Sequence, residues 1–176
     1  MRLFIAIPLP REARREALMA QKRLLEHVEG ARPVPPENFH ITLHFIGESG
    51  DLAGAAAACR EAVRGVRPFG LKLLGYGWFE KGSAATSLLE IGGNLQELAL
   101  LHETLESALE NNGFPRGRGR LTPHVTLARS IRHRPEQDAL GELPHTAFTA
   151  DRIVLYESRN VEGRMVYTPL HTQRLS

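Results

Sequence analysis

Two four-residue phrases constrain this chain more than anything else in it: His40-Ile41-Thr42-Leu43 and His124-Val125-Thr126-Leu127. Each reads histidine, apolar, threonine, apolar, and the two histidines stand 84 positions apart. The 176 residues hold 8 histidines and 9 threonines. At that frequency chance supplies roughly 0.1 such phrase per chain, and a pair only a few times in a thousand. Two ordinary strands that each carry a histidine and a threonine would satisfy the pattern too.

Side chains alternate between the two faces of a β-strand. Ile41 and Leu43 therefore enter a core while His40 and Thr42 share the opposite face, and the second phrase divides in the same way. If the two strands face each other, four polar groups converge on a space that suits one phosphate. Imidazole titrates near neutral pH without any perturbation. One neutral ring can take a proton from an attacking water or hydroxyl, and one protonated ring can give a proton to the leaving oxygen. A phosphodiester carries a single negative charge, which threonine hydroxyls and a nearby arginine can meet.

Charge supports an anionic ligand. Three lysines among 22 basic residues leave 19 arginines, although the net charge is only +2. Arginine forks onto phosphate bidentately. Arg116, Arg118 and Arg120 precede the second phrase, and Arg129, Arg132 and Arg134 follow it. For any single one of them a solvated position is the simpler account. As a cluster they favour an anion such as nucleic acid, with Arg129 joining Thr42 and Thr126 as a phosphate contact.

The length fits a single domain over residues 1–176, with room for two lobes. The lone cysteine, Cys59, excludes an internal disulfide framework and fits a reducing cytoplasm. Its Ala-rich surroundings make it a buried small hydrophobe. The opening Leu3–Ile7 is too short for a signal peptide and reads as a strand ended by Pro8 and Pro10. Charged residues interrupt every long helical stretch, so no segment is read as spanning a bilayer.

Periodicity predicts helices over 11–29, 51–65 and 94–113. The first has Leu18, Leu25 and Val28 inward and ends at Gly30; the second is capped by Asp51; the third has Leu98, Leu101, Leu105 and Leu109 inward and starts at Asn94 with Glu97. Strands are predicted at 39–46, 70–79, 85–91, 123–128, 152–157 and 164–170, with a helical turn at 135–141. A helix, a Pro- or Gly-rich loop and a His-Thr strand recur in each half, which points to an α+β fold of two similar lobes.

Other chemistries fit less well. His40 and His44 have the four-residue spacing that binds zinc on a helix, but four strand residues span about 13 Å, too far for one ion. Simple alternation puts His44 on the cleft face, as a rim or surface histidine. The chain has no Gly-x-Ser-x-Gly elbow and no nucleotide-binding glycine loop. His27 and His102 fall in helices; His133, His145 and His171 have no threonine two places on.

The doubled phrase, with its flanks, resembles the two-histidine phosphoesterases. The branch it is most similar to is the bacterial and archaeal RNA 2′,3′-cyclic phosphodiesterases, also called 2′-5′ RNA ligases. The residues that carry the likeness are the opening Arg2 to Pro10, Val34-Pro35-Pro36-Glu37-Asn38-Phe39 before His40, and Phe45-Ile46-Gly47-Glu48 after the first phrase. Gly113-Phe114, Thr122-Pro123 before His124, Ala128-Arg129, and Val154 to Ser158 complete it. The resemblance implies two antiparallel sheets facing a central cleft with helices outside. It implies hydrolysis of an RNA-terminal 2′,3′-cyclic phosphate to a 2′-phosphate without metal or other cofactor. It makes His40 the proton donor and His124 the proton acceptor, an assignment the residues alone do not provide. Two departures stand out: His44 replaces an apolar residue, and Thr86 to Ile91 lacks a tryptophan common in that strand.

The partners that follow are RNA ends or 2′,3′-cyclic nucleotides, met by a monomer away from any membrane. Two other functions stay open at this point. The same site run in reverse joins RNA ends through a 2′-5′ bond, and a non-catalytic chain would bind RNA ends or nucleotides.

Overall fold

The computed structural model describes residues 1–176, the side chain of Gln137 apart. Strand β1 (Arg2–Pro8) is buried without a break from Leu3 to Ile7 and lies inside a four-stranded sheet of order β3-β1-β8-β9. Its partners are β3 (His40–Glu48), β8 (Arg152–Val161) and, beyond that, β9 (Arg164–Arg174). The second sheet has the order β2-β6-β5-β4-β7, from β2 (Arg32–Pro33), β4 (Phe69–Lys81), β5 (Ala84–Gly93), β6 (His124–Ile131) and β7 (Ala147–Ala150). Every pairing is antiparallel. Each sheet thus receives one His-Thr phrase, on β3 and on β6.

The helices cover the outer faces, and they change sides. Helix α1 (Arg11–Leu25) leaves the first sheet and covers the second, where Tyr76 of β4 donates its hydroxyl hydrogen bond to Ala20 O at 2.8 Å. Helix α2 (Leu52–Ala62) is capped by Asp51, whose carboxylate accepts the Gly54 amide at 2.9 Å. Helix α3 (Leu95–Asn111) starts at Asn94, which accepts the Glu97 amide at 3.2 Å. Thr104 of α3 donates to Ala62 O of α2 at 3.0 Å, and Glu106 reaches β3. The helix before each His-Thr strand therefore packs on the opposite lobe. Leu98, Leu101, Leu105 and Leu109 are all buried as the periodicity requires.

Helix α1 departs from the sequence expectation in both its end and its buried face. Helix α1 ends at Leu25 rather than at Gly30, and its buried stripe is Ala13, Ala17, Ala20, Gln21 and Leu24. Leu18, Leu25 and Val28 are only partly buried, because small alanines let the helix sit close to the sheet. The strands β2 and β7 are too short to be periodic, with two and four residues. The helical turn expected at 135–141 is present as a short 3₁₀ segment, Gln137–Ala139. Among the described residues no helix is long and apolar enough to cross a membrane. Cys59 is fully buried, and burial pushes its thiol up to about 12, so it stays protonated.

Candidate active site

Both phrases begin as regular strands. Ile41, Leu43, Val125 and Leu127 are buried, while His40, Thr42, His124 and Thr126 lie partly buried on the opposite faces. Each phrase then ends in a β-bulge. Ala6 of β1 pairs with Thr42 but Ile5 with His44, so Leu43 is the extra residue. On β6, Leu88 pairs with Thr126 and Ser87 with Ala128, so Leu127 is extra. One additional residue exchanges the faces of the residues that follow it, up to a second register shift further along each strand.

That exchange overturns the expected place of His44. It turns away from the cleft and is buried against α3, where its Nδ1 lies 2.6 Å from Glu106 Oε1. Glu106 also accepts the Gly117 amide at 2.6 Å and lies 3.3 Å from His102 Nε2. Burial pushes this carboxyl upward, but the Gly117 amide and His44 outweigh it and hold it below its usual value. Ala128 occupies the matching inward position on β6 and is fully buried. The same exchange brings Phe45 and Arg129 back to the cleft side, both exposed.

The two imidazoles are oriented alike. His40 Nδ1 donates to Asn38 O at 2.6 Å, and His124 Nδ1 donates to Thr122 O at 2.6 Å. A carbonyl can only accept, so each neutral ring carries its proton on Nδ1 and presents a bare Nε2. The carbonyl two residues upstream fixes the tautomer in both cases. His40 Nε2 then accepts from the Thr42 hydroxyl at 2.8 Å. Thr126 stands two places after His124 on the same face of β6.

The strands β3 and β6 meet across the cleft, and the charges of His124 and Arg129 both act on His40. Burial lowers the His40 pKa to about 4; the Asn38 carbonyl opposes this, and Arg129 and His124 add to it. Phe4 and Tyr167 pack on the His40 ring at 5.2 and 5.4 Å, and Phe79 meets His124 edge-on at 4.9 Å. His40 is therefore neutral in the free protein and needs a negative charge beside it before it can carry a second proton.

All five residues expected at the site thus lie on cleft faces, with His40, His124 and Arg129 coupled electrostatically. The sequence reading missed the residues that hold them. Buried Asn38 ties the His40 segment to β9 by donating to Met165 O at 2.9 Å. Buried Gln21 donates to Val34 O at 2.7 Å and to Leu127 O at 2.8 Å, pinning the second bulge. A polar residue inside the apolar stripe of α1 was the one available signal for Gln21.

Known proteins share this fold. A family model described as the 2′-5′ RNA ligase superfamily matches residues 9–162. A Thermotoga maritima protein named RNA 2′,3′-cyclic phosphodiesterase is 29% identical over 97% of this chain and 94% of its own. The crystal structure of TT0787 of Thermus thermophilus covers 99% of this chain and 98% of its own, with a TM-score of 0.81 and 28% identity. The crystal structure of E. coli LigT complexed with 3′-AMP covers 99% and 98% in turn, with a TM-score of 0.75 and 28% identity.

Proposed function

Because the chain belongs to the 2′-5′ RNA ligase superfamily, we propose that its cleft hydrolyses RNA-terminal 2′,3′-cyclic phosphates to 2′-phosphates by acid–base catalysis between His40 and His124. The observation that carries this reading is the matched pair of Nε2 atoms, each freed by a carbonyl two residues upstream.

The steps follow from the tautomers. His124 Nε2 has no partner competing for its lone pair among the described residues, and it takes a proton from water. The water oxygen attacks phosphorus and the bond to the 3′-oxygen breaks. His40, protonated at Nε2 once the phosphate is beside it, gives that proton to the 3′-oxygen. A 3′-hydroxyl and a 2′-phosphate result. Thr42, released from His40 Nε2, and Thr126 donate to the free phosphate oxygens, and Arg129 offsets their charge.

The groups facing the phosphate are cationic or neutral, so this route asks for no metal and no cofactor. We place the protein in the cytoplasm as a monomer, residues 1–176 forming one bilobal domain; a single cysteine, with no internal disulfide possible, suits a reducing compartment.

Product analysis tests the reaction. A short RNA ending in a 2′,3′-cyclic phosphate, incubated in ¹⁸O-water, should yield a 2′-phosphate carrying one ¹⁸O and a free 3′-hydroxyl. A 3′-phosphate product would reverse the polarity of the site. Joining to a second RNA without ¹⁸O uptake would make ligation the principal reaction.

A further inference from the structure

Beside His40, on whose ring Phe4 and Tyr167 pack, lies a groove of ≈ 790 Å³ lined by Arg2, Phe4, Arg32, Phe45, Arg129 and Tyr167 among others. Strand register gives its direction. His40 pairs with Pro8 at one end of β1, Phe45 with Phe4 in the middle, and Glu48 with Arg2 at the other end. The seven residues of β1 span about 20 Å, more than one nucleotide needs.

The walls are of two kinds. Phe45 is 70% exposed, the most exposed large apolar side chain in the molecule among the described residues. It is held against Phe4 at 5.9 Å, and Phe4 in turn holds Tyr167 at 4.8 Å and His40 at 5.2 Å. An aromatic floor therefore runs unbroken from the His40 ring into the groove. The opposite wall is cationic. Arg32 and Arg129 are directly paired across β2 and β6, a placement in which like charges repel. Among the described residues no carboxylate lies within ion-pair distance of Arg2, Arg32 or Arg129. Uncompensated guanidinium groups facing an exposed aromatic floor match one kind of occupant, a strand of alternating phosphates and flat bases.

We propose that this groove binds the nucleotides on the 5′ side of the reacting one, with a base stacked on Phe45 and the connecting phosphate held by Arg32, beside the Arg129 that serves the reacting phosphate. The proposal rests on the phosphodiesterase reading above and assigns which residues of this chain hold the strand that leads into the reacting end. It also accounts for Phe45, an otherwise costly exposed ring that the Leu43 bulge turns toward the cleft.

The test compares kcat/KM for an RNA trinucleotide ending in a 2′,3′-cyclic phosphate with kcat/KM for the cyclic mononucleotide. The wild type should prefer the trinucleotide by about tenfold or more, and added salt should shrink that preference. Phe45→Ala and Arg32→Ala should each reduce the ratio about tenfold; both positions are exposed, so the variants fold. Equal values for the two substrates in the wild type, or a ratio untouched by both variants, would overturn the proposal. If neither substrate turns over, the activity reading fails, and fluorescence anisotropy of the labelled trinucleotide decides the groove alone. Binding weakened by both variants would sustain it. Unchanged binding, or equal competition by an acidic peptide, would refute it.

Discussion

His40 has to be neutral in the free protein and protonated in the complex, and that requirement can be measured. The perturbation is saturation with a nucleoside 2′-phosphate or inorganic phosphate. In the free state burial, with help from Arg129 and His124, keeps the His40 pKa at about 4. A negative charge placed about 4 Å from the ring, at an effective dielectric constant near 20, contributes about 4 kcal/mol. That is roughly a thousandfold in proton affinity, enough to bring the ring back to the neutral range. The assay is a pH titration of the histidine ring resonances by NMR, with and without the phosphate. A His40 signal that titrates near the ordinary histidine value in the free protein would refute the burial argument. A signal that does not move upward when phosphate saturates the site would refute the idea that substrate charges the acid.

Further outcomes follow from the same structure. Since His40 binds its proton less readily folded than unfolded, stability should rise with pH between about 4 and 6.5, and His40→Gln should flatten that slope in denaturant titrations. Glu106 is held below its usual value, so its contribution is present above the unfolded carboxylate range and is lost as pH falls through its folded value. Glu106→Gln should cost about 3 kcal/mol at pH 7 by urea unfolding and weaken the acid dependence, as expected for one partner removed from a buried pair; an unchanged midpoint would contradict this. Gln21→Leu leaves the Val34 and Leu127 carbonyls without its amide and should cost about 2 kcal/mol. Its kcat should fall with it, because Leu127 is the bulge residue that aims the His124 strand, and a wild-type kcat would show the pin to be dispensable.

What the sequence made legible was whatever depends on local period. Alternation put His40 and Thr42 opposite Ile41 and Leu43, and the leucines of α3 marked its buried face, because each pattern repeats within one element. Alternation failed one residue beyond each phrase. The bulges at Leu43 and Leu127 depend on pairing with β1 and β5, which no local pattern reveals. So His44 was expected in the cleft and lies in the core, while Arg129, which strict alternation from His124 would turn inward, faces the cleft. Asn38 and Gln21 escaped notice for a related reason. Their partners, Met165, Val34 and Leu127, lie up to 127 positions away. The alanine stripe of α1 gave too weak a hydrophobic signal to outweigh Leu18 and Leu25.

The central claim is that two histidines share one proton-transfer task at one phosphate. Initial rates on an RNA ending in a 2′,3′-cyclic phosphate test it most directly, for chelator-treated wild type, His40→Ala and His124→Ala. The account predicts unchanged turnover after chelation and a loss of about 10²- to 10⁴-fold in kcat for each variant. Wild-type turnover in either variant, or activity lost to the chelator and restored by zinc, would contradict it.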